Sequence, residues 1–132
     1  MRIVLCAGVF DLLHAGHVAH LMEARAMADY LIVGLTLDEH VGKPGRPIMS
    51  WDERAAMLRE LRCVSAVAAC RDSVEAIKKL RPHVFVKGGD YVKKGLLKEE
   101  IEACALVGAE IRHTAYVPIT TTDIVQRIKC AA

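Results

Sequence analysis

The chain of 132 residues is the size of one single-core domain, and with 53% hydrophobic residues it has the apolar content to build that core. Its 18 basic and 16 acidic side chains leave a formal charge of +2 and are mixed along the chain, which argues against non-specific binding to nucleic acid or to a membrane surface. Five cysteines without a Cys-x-x-Cys pair, and an opening apolar run ("IVLCA") too short for a secretory or membrane segment, lead to the expectation of a cytoplasmic protein with reduced, mostly buried thiols.

The first predicted strand is "RIVLCA" (2–7). After it, "GVFDLLHAGHVAHL" (8–21) turns into a helix near Ala15-Gly16, with Val18, Leu21 and Met22 at i, i+3, i+4 as its apolar stripe. A second strand, "YLIVGLT" (30–36), leads into "DEHVGKPGRPIM" (38–49), whose prolines, glycines and basic residues carry no core period. Ser50-Trp51-Asp52-Glu53 reads as a capping box that opens a helix with Ala55, Leu58 and Leu61 on its buried side. A third strand (65–70) precedes Asp72-Ser73-Val74-Glu75, a repeat of that device before a helix closed by Pro82. "HVFVK" (83–87) is the fourth strand, and Ile101, Cys104 and Ala105 mark a helix that stops at Gly108. "AEIRHT" (109–114) alternates as an edge strand should, and a last helix begins in "ITTTDIV" (119–125). This order predicts an α/β fold: a single domain (1–132) with a doubly wound, Rossmann-like, parallel five-stranded sheet and helices on both faces.

In such a sheet ligands bind beyond the carboxyl ends of the strands, where the strand order reverses. Three unusual segments follow strand ends: "GVFDLLHAGH", the 38–49 loop and "GGDY" (88–91). Gly8 is expected to permit a tight turn, and the helix start beyond it offers free N–H groups to an anion. His14 and His17, at i and i+3, share a face toward that anion, where imidazole donates to phosphoryl oxygens. His20, three residues further on, is expected to turn away, which disfavours a zinc site built from the three histidines. The other reading of the pair is structural, as caps of the helix.

"GVFDLLHAGH", with its His14-Ala15-Gly16-His17, resembles the signature of the cytidylyltransferase-like nucleotidyltransferases, and "LIVGLTLDEHV", Glu53-Arg54 and "ITTTDIV" extend the resemblance over nearly the whole chain. "VKGGDY", "GRP" and "HAGH" resemble the branch that adenylylates heptose 1-phosphate. "VFDLLH" and "LIVGLTLDEH" are as close to glycerol-3-phosphate cytidylyltransferase, but that branch has Arg-Thr-Glu-Gly where this chain has Ala115-Tyr116-Val117-Pro118.

The resemblance implies transfer of a nucleotidyl group from ATP to a sugar 1-phosphate with release of pyrophosphate, the alternative being CTP with glycerol 3-phosphate or a similar phosphorylated alcohol or phosphonate. It implies catalytic roles for His14, His17, Lys43 and Arg54. Nucleotide contacts would come from Gly8, Val9, Phe10, Gly16, Arg46, Gly88, Thr120, Thr121 and Thr122, and acceptor contacts from Asp11, Asp38, Lys87 and Asp90. Mg²⁺ is expected mainly on the substrate phosphates, with Asp90 as its candidate protein ligand, and the resemblance implies a homodimer. A non-catalytic nucleotide sensor is the rival class, and the retained histidines argue against it.

Overall fold

A computed structural model describes residues 1–88, 96–115 and 117–131. Five parallel strands, β1 (Ile3–Gly8), β2 (Tyr30–Thr36), β3 (Ala66–Cys70), β4 (Val84–Lys87) and β5 (Glu110–His113), form one sheet in the order β3-β2-β1-β4-β5. The chain winds outward from β1 to β3 and then restarts on the other side of β1, so the strand order reverses between β1 and β4. The expected α/β architecture is therefore present, with its switch point beside the "GVFDLLHAGH" turn.

Successive strand residues face opposite sides, and the sequence serves both. Val4 and Cys6 of β1, with Val84 and Val86 of β4, pack against Leu21 and Ala24 of α1 (Ala15–Arg25) and Ala55 and Leu58 of α2 (Trp51–Arg59). Leu5 and Phe85 face the other way, onto Ala76 and Ile77 of α3 (Ser73–Leu80) and Ala103 and Cys104 of α4 (Lys98–Val107). Burial on both faces is why these strands read as continuous apolar runs. The last helix, α5 (Thr121–Ala131), has no fully buried residue, and its first residue, Thr121, donates to the Asp11 carbonyl.

Several local expectations change. Met22 and Ile101 are 60% and 48% exposed, and Ala105 is exposed too. One residue is a 100° step around a helix, and α1 and α4 meet the sheet through Leu21–Ala24 and Ala103–Cys104 instead. β3 is an edge strand as well as β5, yet α2 and α3 cover both its faces, so its small apolar residues do not alternate. The 38–49 segment opens with a 3₁₀ turn, Asp38–His40.

Ser50 and Glu53 form the predicted reciprocal cap of α2. Asp72 accepts the Glu75 N–H at 2.8 Å, but Glu75 returns to the N–H of Arg71 rather than to Asp72. α4 stops at Gly108 in the left-handed conformation (φ 75°), as its position in the sequence predicts.

Candidate active site

A crevice of about 740 Å³ opens at the carboxyl ends of the strands, above the β1–β4 switch point. Its centre is the start of α1. His14 is the N-cap: its Nδ1 accepts the N–H groups of Gly16 (3.1 Å) and His17 (3.4 Å), while Nδ1 of His17 accepts the N–H of His14 at 3.3 Å. The two rings stack with centroids 3.7 Å apart, and Phe10 meets His17 edge-on at 5.3 Å.

The structural and ligand-facing readings of the histidines thus hold together. An imidazole that accepts at Nδ1 carries its proton at Nε2. Both rings line the crevice, and the buried Nε2 of His14 has no hydrogen-bond partner among the described residues.

Burial, reinforced by the neighbouring His14 and His20, pushes the His17 pKa down to about 4, against a weaker opposing pull from Asp11. Burial also lowers that of His14. At neutral pH the pair therefore presents two uncharged N–H donors.

Gly16 is required by this cap. A Cβ there would lie 2.9 Å from Cε1 and 3.0 Å from Nδ1 of His14, and 3.3 Å from the carbonyl oxygen of Ile119. Gly8 has another role than the tight turn expected of it. It ends β1 without a positive φ, and the left-handed turns fall at Phe10 (φ 49°) and Leu12 (φ 50°). A Cβ at Gly8 would lie 3.0 Å from the Phe10 ring, so the glycine makes room for Phe10 to fold back.

Around the pair, the crevice is lined by Val9, Phe10 and Asp11, by Lys43 and Arg46 of the loop, by Lys87 and Gly88 after β4, and by Thr120, Thr121 and Thr122 at the start of α5. The threonine hydroxyls are partly committed. Thr120 caps α5 by accepting the Asp123 N–H at 3.0 Å, and Thr121 Oγ1 donates to the Asp11 carbonyl at 2.6 Å. Asp90, with Gly89 and Tyr91, lies outside the described residues.

Three assignments need correction. Arg54 is 1% exposed and does not line the crevice. Its guanidinium donates to the carbonyls of Met49 (3.0 Å) and Val9 (2.8 Å) and pairs with Asp38 at 2.5 Å. Asp38 is therefore the counter-ion of Arg54, not an acceptor contact. Asp11 does border the crevice, but its carboxylate accepts the N–H groups of Ile48 (2.7 Å) and Met49 (3.0 Å), so it anchors the loop rather than an acceptor.

The expectation that His20 turns away does not hold, and sequence reasoning passed over Arg71, Asp72, Ser73 and His40. His20 does face the crevice, its Nδ1 2.6 Å from Oγ1 of buried Thr114. Arg71, Asp72 and Ser73 follow β3, so the same strand-end rule that singled out the other segments points to them. His40 lines the crevice from the 3₁₀ turn.

Residues 5–127 match the family described as cytidylyltransferase-like. The chain belongs to this family. Among curated proteins, this cytidylyltransferase-like domain is 37% identical over 133 residues to "Bifunctional protein HldE" of Pelobacter propionicus, an alignment covering 96% of this chain and 27% of that protein. It is 45% identical over 105 residues to the protein of the same name from Helicobacter hepaticus, covering 75% of this chain and 22% of that one. The chain thus spans about a quarter of the length of these curated relatives.

Of solved structures, the "lipopolysaccharide core biosynthesis protein" of Thermoplasma volcanium superposes with a TM-score of 0.72 at 24% identity, covering 91% of this chain and 99% of that one. TmcAL of Thermotoga maritima, bound with alpha-thio ATP, gives 0.71 at 14% identity, over 99% of this chain and 51% of that one. Both likenesses are of fold.

Two outcomes follow from the cap. Gly16→Ala forces the His14 ring out of place, so a ligand that depends on its Nε2–H binds more weakly while the far-ultraviolet circular dichroism stays that of the native fold; unchanged nucleotide affinity by calorimetry would contradict this. The His17 pKa is depressed on folding, so the unfolded chain takes up the proton first. The stability tied to His17 is complete above the ordinary histidine value of about 6.5 and is lost as pH falls toward about 4. Urea midpoints measured across that window should fall more steeply for the native protein than for His17→Asn, whose side chain does not titrate.

Proposed function

We propose that this domain transfers the adenylyl group of ATP to a heptose 1-phosphate or a closely similar sugar 1-phosphate, releasing pyrophosphate. The observation that carries the reading is the histidine pair, whose Nδ1 atoms are committed to capping α1 while both rings line the crevice. ATP and the heptose acceptor are supported by "VKGGDY" and "GRP" and by the similarity to HldE over 96% of the chain. A reducing, cytoplasmic setting fits the five free cysteines, of which Cys6, Cys70 and Cys104 are buried, and the homodimer that the family resemblance implies belongs to the same reading.

In the proposed reaction an acceptor phosphate oxygen attacks the α-phosphorus in line, a bond forms between them, and the bond from that phosphorus to the bridging oxygen breaks to release pyrophosphate. The nucleophile is already an oxyanion, so no general base is needed, and catalysis rests on positioning and charge stabilisation. His14 and His17 donate Nε2–H bonds to phosphoryl oxygens whose charge grows in the transition state. Lys43 and Arg46 add positive charge from the loop, and the first turns of α1 and α5 orient backbone dipoles toward the phosphates.

Mg²⁺ belongs to the proposed reaction as the partner of the phosphates. Among the described residues no cluster of three or more His, Cys, Asp or Glu could hold a metal ion, and the carboxylate of Asp11 already accepts two backbone N–H groups. In this proposal the ion is carried in on the phosphates, where it would neutralise their charge.

The experiment is pyrophosphate release with ATP, CTP, GTP and UTP crossed with heptose 1-phosphate, other sugar 1-phosphates, glycerol 3-phosphate and phosphonate acceptors. Release with ATP and heptose 1-phosphate is expected. Release only with CTP and a phosphorylated alcohol would transfer the reading to the glycerol branch, and nucleotide binding without release would make the protein a sensor. On the productive pair, His14→Ala and His17→Ala should each lower kcat by about 10²-fold or more with the fold retained. Chelation by EDTA should abolish release and excess Mg²⁺ restore it; full activity in metal-free buffer would remove the ion from the mechanism.

A further inference from the structure

Three glutamates crowd the start of α4, and only Glu100 is buried, at 1% exposure. Its Oε1 accepts the Leu97 N–H at 3.2 Å, and its Oε2 accepts from Ser73 Oγ at 2.7 Å and from Lys87 Nζ at 2.9 Å. One carboxylate thus joins the first turn of α4, the first residue of α3 and the last residue of β4. Lys87 and Ser73 line the crevice, whereas Glu100 stands behind them.

A buried ion pair adds little net stability, because desolvation offsets most of its Coulomb attraction. What it does add is place: a lysine ammonium on a flexible four-carbon stem is held at one point by a fixed counter-charge.

The location of that point decides its use. Lys87 follows Phe85 by two residues, so its side chain leaves the strand on the α3 and α4 side of the sheet, opposite the histidine pair on the α1 side. In-line displacement puts the leaving pyrophosphate and the attacking oxygen on opposite sides of the α-phosphorus. With the triphosphate at the starts of α1 and α5, the acceptor must enter from the side where Lys87 stands.

We infer that Glu100 is a positioning residue for acceptor recognition: it holds the Lys87 ammonium at the end of β4 to receive the acceptor's phosphate. The inference rests on the proposed nucleotidyl transfer. Steady-state kinetics with ATP and heptose 1-phosphate, or with whichever pair the substrate panel identifies, test it in three variants.

Glu100→Gln should raise the acceptor KM about tenfold, the scale of one charge-assisted contact, and leave the KM for the nucleotide unchanged. The double variant Lys87→Met with Glu100→Leu leaves no unpaired charge but removes the acceptor of the Leu97 N–H and the Ser73 hydroxyl, so it should melt below the native protein while its acceptor KM stays as high as that of Lys87→Met alone. A purely structural pair predicts the reverse, with the double variant recovering the native acceptor KM.

An unchanged acceptor KM in Glu100→Gln, or a parallel rise in both KM values, overturns the inference while the functional reading stands. If Glu100→Gln does not fold, Glu100→Asp, which keeps the charge but shortens its reach to Lys87, decides by the same split between acceptor and nucleotide KM. A native protein that releases no pyrophosphate with any pair overturns the functional reading, and the inference falls with it.

Discussion

The first turn of α1 must have its backbone N–H groups satisfied and yet remain open to a ligand, and the rest of the site is arranged around that constraint. A serine or aspartate cap would satisfy the N–H groups with the same short side chain that faces the ligand. An imidazole separates the two tasks by placing two nitrogens on opposite sides of one rigid ring. With Nδ1 accepting from the backbone, the tautomer is set and the proton sits on Nε2. The reciprocal bonds from His14 to the His17 N–H and from the His14 N–H to His17 stack the rings, and stacking excludes a side chain at Gly16. One local geometry therefore accounts for two histidines and the glycine between them.

Charged residues elsewhere divide by the same logic into those that hold backbone and those that face the crevice. Arg54 is buried, with its guanidinium bonded to the carbonyls of Val9 and Met49 and to Asp38. Asp11 receives the N–H groups of Ile48 and Met49. Together they fasten both ends of the 38–49 segment to the end of β1, leaving its middle, with exposed Lys43, beside the crevice. Glu100 performs the corresponding task for β4, α3 and α4. Such buried ions are poor sources of stability, but each fixes one backbone or side-chain position that apolar packing would leave loose.

The sheet and most of its helices were legible because their signals are local: apolar runs of strand length, Ser50 with Glu53, Gly108 as a stop. The β1–α1 turn was legible because strand-end position and residue type coincide there. Arg54 and Asp38 were misassigned for a physical reason. A sequence position beside a substrate loop does not reveal whether a guanidinium points outward or inward, and five donors in a fixed fork suit buried carbonyls as well as phosphates. Glu100 was invisible for the opposite reason: it resembles the exposed glutamates on either side, and its partners lie 27 and 13 residues away in the chain. Helical phase against α3 and β4, not composition, decides which of the three is buried.

The neutrality of the histidine pair bears on how the proposed transfer between two anions would turn over. Permanent cations at the head of α1 would bind the proposed substrates and the pyrophosphate product tightly, stabilising ground states as much as the transition state. Here the donors at the head of α1 are uncharged at neutral pH, because burial opposes the imidazolium. Of the permanent cations in the crevice, Lys87 is paired with Glu100 and Arg71 with Glu75, while Lys43 and Arg46 lie on the loop. Neutral N–H donors strengthen as charge grows on the oxygens they face, so their contribution is weighted toward the moment when five oxygens crowd the phosphorus. By the same argument positive charge in the proposed reaction belongs on the 38–49 loop rather than at the head of α1, where a fixed cation would hold the pyrophosphate as firmly as the triphosphate.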